Sequence, residues 1–182
     1  MTQRAQKGFT LIELLVVIAI IGVLSTLAVV ALNSAREKSR DSKRVADVKQ
    51  IQTSLELFFA DQSGYPVVPD GTPFVLGVTG ATVLSQYNDD GASSSPAVTG
   101  WSDSTVGQSY MGLVPSAPIP PGTDCNATNN AYTYASRNAT DTAAYELGDG
   151  TAAPHYTLSF CLGGIVGSLQ SGTHTASPSG IQ

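Results

Sequence analysis

The sequence predicts an α+β fold in which one long N-terminal helix packs on a small antiparallel β-sheet domain. Three observations point there. No residue from Leu14 to Leu32 is charged. No Pro or Gly occurs from Arg36 to Ala60, and apolar residues recur there at spacings of three and four. All ten prolines, and sixteen of the eighteen glycines, lie after Gln62, which confines turns to the C-terminal part.

The first half of the helix reads as a membrane span. Its nineteen uncharged residues, Leu14–Leu32, at about 1.5 Å rise cover roughly 28 Å, close to the hydrocarbon thickness of a bilayer. One carboxylate, Glu13, stands at its mouth. An unpaired charge in hydrocarbon costs roughly 2.5–3.5 kcal/mol even on the gentlest scales, so Glu13 needs a compensating partner. A secretory signal peptide is the plainer reading, with Arg4 and Lys7 as its basic flank. Against it, the run exceeds the usual apolar core of about 7–15 residues, no A-x-A site follows, and an acid at the mouth serves no purpose there.

The second half is amphipathic. Val45, Val48, Ile51, Leu55, Phe58 and Phe59 draw one stripe on a helix. Charged residues are expected on the other faces, with Lys43 and Asp47 as a modest i,i+4 surface pair. The predicted helix runs from Phe9 to about Ala60, on the order of 78 Å. Its spanning part is 9–32 and its amphipathic part 33–62, and "SGYP" at Ser63–Pro66 stops it.

Charge separates the halves further. The formal net charge is −5, which argues against a nucleic-acid partner held by phosphate neutralisation. After Gln62, one basic residue (Arg137) faces eight acids, whereas Asn33–Gln62 carries six basic and five acidic residues.

Residues 63–170 are expected to form a β-rich globular domain, and 171–182 a disordered tail. "PFVLGV" (Pro73–Val78), "NAYTYAS" (Asn130–Ser136), "AAYEL" (Ala143–Leu147) and "HYTLSFCL" (His155–Leu162) read as strands between turn clusters. In the last, Tyr156, Leu158, Phe160 and Leu162 alternate onto the face that should meet the amphipathic helix. Gln86–Tyr110 is expected to be a surface loop.

Enzymatic chemistry finds no support in these residues. His155 and His174 lack an acidic or nucleophilic companion motif. No metal or cofactor is expected, calcium being the one weak alternative. Asn126 and Asn138 head N-x-T sequons that carry little weight.

"GFTLIE" at Gly8–Glu13, followed by an apolar run and an amphipathic helix, closely resembles the prepilin signal of type IV pilins and type II secretion pseudopilins. The likeness extends through the helix to "GYP" at Gly64–Pro66 and covers about 65 residues well. It implies that a prepilin peptidase cuts between Gly8 and Phe9, removing the leader 1–8, and methylates Phe9. Glu13 then becomes the fifth mature residue, and the family arrangement pairs its carboxylate with the N-terminal amine of a neighbouring subunit. That pairing removes two buried charges at once. One departure is that many members kink the helix with a proline where this chain has Val30, leaving Gly22, Ser25 and Thr26 as weaker points of loosening.

The resemblance also implies topology. Residues after Gln62 are expected outside the cytoplasm, although Arg36, Lys38, Arg40, Lys43 and Arg44 crowd the span's distal end and a plain charge count favours the opposite orientation. In that location Cys125 and Cys161, the only cysteines, are expected as a disulfide, with free thiols or a metal site as alternatives. Pilins often clamp a C-terminal loop this way. Asp141, Glu146 and Asp149 are candidates to line a calcium loop, as the C-terminal domain of major pseudopilins does, but their spacing is not that of a dense oxygen-ligand loop.

The implied function is a non-catalytic subunit of a type IV pilus or similar filament, stored in the inner membrane and then assembled helically. The major pseudopilin of type II secretion is the alternative, and a membrane-anchored binding module the second. Implied partners are other copies of the chain, minor pilin-like subunits, the prepilin peptidase and an inner-membrane assembly platform. "GYP" suits a pseudopilin; the cysteine pair suits a pilin.

Overall fold

A computed structural model describes residues 8–68, 72–87, 100–138 and 153–182. One helix, α1, spans Leu11–Gln62, and eight strands follow it: β1 (Phe74–Val75), β2 (Val83–Tyr87), β3 (Trp101–Ser102), β4 (Val106–Met111), β5 (Thr133–Arg137), β6 (His155–Leu162), β7 (Gly172–Ser177) and β8 (Gly180–Ile181). The chain divides into two compact units, one ending at Glu37 and the other Lys38–Gln182.

In the first unit the α1 side chains from Leu11 to Leu32 are exposed on every face. A helix that is apolar all round and covered by nothing needs a lipid or protein surrounding. Its few polar groups turn inward: Ser25 Oγ donates to the Ile21 carbonyl at 2.7 Å, and Thr26 Oγ1 to that of Val23 at 2.8 Å. Satisfying polar atoms within the segment is what a hydrocarbon environment demands.

The second unit has an α+β core. Val48, Ile51, Leu55 and Phe58 of α1 join Tyr156, Leu158, Phe160 and Leu162 of β6 in one buried cluster, and those four β6 side chains are fully buried. The alternation read from the sequence is therefore the packing face. An antiparallel sheet in the order β1-β5-β6-β7-β8 sits beside a three-stranded one, β3-β2-β4. Ser63, with φ of 59°, ends α1 in the left-handed region, and its N–H donates to the Phe59 carbonyl. Tyr65 is buried next, stacked edge-on against Tyr156, and Tyr134 Oη donates to the Pro66 carbonyl at 2.7 Å. "GYP" thus marks where the chain leaves the helix for the sheet.

Three expectations need correction. The tail 171–182 is ordered: β7 pairs along β6, with Leu158 opposite Ala176 and Cys161 opposite Thr173, and β8 closes a hairpin on β7. Without this pairing β6 would carry a free edge of backbone donors and acceptors. The segment Gln86–Tyr110 is not all loop, since it holds β3, most of β4 and the buried Trp101. Gly100 enters β3 with φ of 102°, and a Cβ there would stand 2.9 Å from the Phe58 ring, so only glycine fits. Finally, not every charge on α1 faces solvent: Asp41, Arg44 and Asp47 are buried. The strand expected at 143–147 lies outside the described residues.

Candidate functional site

The chain ahead of α1 is where chemistry is expected. Gly8, Phe9 and Thr10 precede the first helical residue and are exposed, Phe9 at 87 %. The Gly8–Phe9 bond is therefore open to a peptidase. Thr10 occupies the N-cap of α1 and Glu13 the third helical position. The Thr10 N–H donates to Glu13 Oε2 at 2.8 Å and Thr10 Oγ1 to the same oxygen at 2.6 Å. In return the Glu13 N–H donates to Thr10 Oγ1 at 3.2 Å. This is a reciprocal capping box, which satisfies two otherwise unpaired helix-end donors. It also answers part of the cost raised by Glu13, because the carboxylate is not bare in the isolated chain. Both of its bonds fall on Oε2. The sequence reading missed the box, although T-x-x-E before an apolar run is its signature.

A second polar cluster holds the globular unit around α1. Arg44 Nη1 donates to Asp41 Oδ1 at 2.6 Å, with both side chains almost fully buried. Arg44 Nη2 reaches the Pro118 carbonyl (3.0 Å) and Asn130 Oδ1 (2.7 Å), while Asp41 accepts from the Gly163 and Gly164 amides at 3.1 and 2.8 Å. One ion pair thus binds two loops from distant parts of the chain to a single turn of helix. One helical turn further on, Asp47 accepts from Tyr132 Oη at 3.0 Å and faces Lys43 Nζ at 3.6 Å. The pair expected at the surface is therefore half rooted in the core.

Cys125 and Cys161 form the disulfide, with Cα atoms 5.9 Å apart. It fastens the 115–128 loop, which Arg44 also holds, to β6 just ahead of the Gly163–Gly164 turn held by Asp41. Reducing it in the full chain is expected to lower the unfolding free energy by about 3–4 kcal/mol in the chain-entropy model. Denaturant titration with and without reductant measures this. A change below about 1 kcal/mol would mean that the buried polar cluster holds the loop unaided.

Four tyrosines line the helix–sheet seam. Burial pushes the Tyr156 hydroxyl up to about 12, and raises Tyr65, Tyr132 and Tyr134 as well. A raised folded-state value stabilises the fold below the unfolded value of about 10, and that contribution fades as pH climbs from about 10 towards the folded values. Ultraviolet titration should accordingly show these four phenols resisting ionisation above pH ~10 until the unit unfolds. Titration of all seven tyrosines near pH ~10 in a folded chain would contradict the seam.

His155 and His174 lie on β6 and β7, and no group of three or more His, Cys, Asp or Glu side chains converges among the described residues. Asp141, Glu146 and Asp149 lie outside them. An open cleft between α1 and β4 is lined by Lys49, Gln50, Thr53, Ser54 and Tyr110 to Leu113, without the paired acid and base that hydrolytic chemistry needs.

Comparison with known proteins bears on this geometry directly. A family described as "Prokaryotic N-terminal methylation motif" matches residues 3–29, the stretch holding Gly8, Phe9 and Glu13. The type II secretion system core protein G of Pseudomonas aeruginosa is 32% identical over 116 residues, 63% of this chain and 78% of that protein. The chain belongs to the pilin and pseudopilin family. Other relatives in it are the core protein G of Aeromonas hydrophila, 35% identical over 50% of this chain, and that of Escherichia coli, 37% identical over 47%. The chain spans 64% and 60% of the length of these two pseudopilins. No solved structure matches it. The long helix with its small antiparallel sheets is the family's arrangement, and the apolar segment is its membrane-anchoring helix.

Proposed function

We propose that this chain is the major pseudopilin of a type II secretion system, cut after Gly8, methylated on Phe9 and polymerised into a helical fibre. The observation that carries this reading is the length of the likeness to the Pseudomonas core protein G: 116 residues, far beyond the N-terminal motif shared by pilins and pseudopilins. It favours a secretion pseudopilus over the type IV pilus that the N-terminal resemblance puts first. The role is structural, with the inner membrane as store and the globular unit outside the cytoplasm.

In this reading the parts divide their labour. The exposed apolar helix packs among its neighbours in the fibre core. Glu13, already tied to Thr10 through one oxygen, keeps its second oxygen for the amine of a neighbouring Phe9. The Asp41–Arg44 cluster and the disulfide make the globular unit rigid enough to be drawn from the membrane as one body. No cofactor is assigned, and calcium at 141–149 remains outside the proposal. Deleting the chain from its host tests the subclass: secreted enzymes should accumulate inside the cell envelope while pilus-dependent surface motility continues. Normal secretion with lost motility would assign the chain to a pilus.

A further inference from the structure

Two large apolar side chains stand in solvent where the globular unit has no need of them. Ile119 is 81 % exposed and Ile165 is 62 % exposed. They lie 46 residues apart in the sequence, yet the same ion pair places both: Arg44 holds the Pro118 carbonyl and Asp41 holds the Gly164 amide. Both isoleucines therefore emerge beside the first helical turns of the unit. Those turns also carry exposed basic charge, Lys38 and Lys43 with half-buried Arg40. Of the nearby acids, Asp41 is consumed by Arg44, and Asp47 faces Lys43 at 3.6 Å from a largely buried position while the Lys43 side chain stays 59 % exposed. This is the cluster that conflicts with a plain charge count of topology.

We infer that Ile119, Ile165, Lys38 and Lys43 form a membrane-contact surface, seated on the anionic phospholipid headgroups of the bilayer that holds the apolar helix. The chemistry fits: apolar tips enter the boundary between headgroups and acyl chains while ammonium groups meet phosphates. The tether selects the occupant. Five residues, Asn33–Glu37, separate Leu32 at the end of the uncharged run from Lys38. Even fully extended, the six steps from Leu32 to Lys38 cover at most about 20 Å, so the Lys38 end of the unit stays at the membrane surface whatever its tilt. The basic residues then act as a lipid-facing collar on whichever leaflet they meet. Extraction into a fibre must break this contact.

The inference rests on the membrane-anchored reading, and one experiment separates the two. The full chain, with its disulfide intact, is reconstituted into phosphatidylcholine vesicles with or without phosphatidylglycerol. A fluorophore is carried on Ile119→Cys, Ile165→Cys or Leu113→Cys. Leu113 is 77 % exposed but lies by the cleft at Lys49–Ser54, further along α1. Headgroup spin-labelled lipid should quench positions 119 and 165 several-fold more than 113 in the anionic vesicles. Adding Lys38→Glu and Lys43→Glu should bring all three to the same level. Equal quenching at the three sites, or quenching indifferent to lipid charge and to both lysines, would overturn the surface. Shielding that appears only when the chain polymerises would overturn it too and assign the patch to a second copy. Alkaline extraction distinguishes the failures: a chain washed from the vesicles overturns the anchor and the surface with it, whereas a retained chain with equal quenching overturns the surface alone.

Discussion

Glu13→Val is expected to leave membrane insertion and leader removal nearly unchanged and to suppress fibre formation by about two to three orders of magnitude per added subunit. The monomer loses the bonds from Thr10 to the Glu13 carboxylate while Thr10 still accepts from the residue-13 N–H, a loss on the order of 1 kcal/mol, and gains an apolar side chain at the mouth of an apolar segment. Those effects nearly offset each other. In the fibre the balance differs, because the amine on Phe9 of an incoming subunit enters the apolar core without a carboxylate. An unpaired buried charge costs about 3–5 kcal/mol. Glu13→Gln separates the two roles, since an amide oxygen can still accept from Thr10 but carries no charge for the amine. Fibre yield by electron microscopy of sheared cells, beside membrane fractionation, reads both. Normal yield from Glu13→Gln would make Glu13 a helix cap and nothing more.

Arg44→Met should produce the largest loss of stability in the globular unit, about 3–5 kcal/mol, because it leaves Asp41 buried and unpaired. It also removes the Arg44 bonds to the Pro118 carbonyl and Asn130 Oδ1, leaving only their mutual bond, so the 115–130 loop should open first. Against a typical domain stability of about 5–15 kcal/mol, such a loss approaches unfolding. Arg44→Lys should recover only part of it, since an ammonium cannot reproduce the guanidinium fork that bonds Asp41, Pro118 and Asn130 together. Denaturant unfolding of the full chain in detergent, with exchange protection followed at Gly163 and Gly164, measures the effect. A loss under about 1 kcal/mol would place the pair among solvated surface ion pairs.

The parts of this molecule that were legible in the sequence are those where one periodicity dominates. Val48, Ile51, Leu55 and Phe58 keep helical spacing and Tyr156 to Leu162 keeps strand alternation, and both faces meet in the core. The stripe on α1 was read too short. Asp41 and Arg44 continue it backwards at spacings of three and four through Val48, Ile51, Leu55 and Phe58, but their charge disguised them as solvent-facing. Charge alone does not place a residue outside when a partner lies one turn away. The sheet of β2, β3 and β4 was missed because "VLSQY" and "VGQSYM" mix small polar residues with apolar ones. Strands β7 and β8 were missed because "GTHTAS" buries only Ala176 fully and otherwise owes its order to pairing along the edge of β6. Of the site, Gly8, Phe9 and Glu13 came from the N-terminal motif, and only the structure revealed how Thr10 engages Glu13.

The central claim is that this chain is a prepilin-type subunit, made with a leader and matured at Phe9. Intact-mass measurement of the protein from its host's membranes tests it most directly. The account predicts a chain lacking the eight residues Met1–Gly8, heavier by one methyl group on the new N-terminal amine and lighter by two hydrogens for the Cys125–Cys161 disulfide. A membrane-resident chain that still begins at Met1, or is cut anywhere past Leu32, would contradict it.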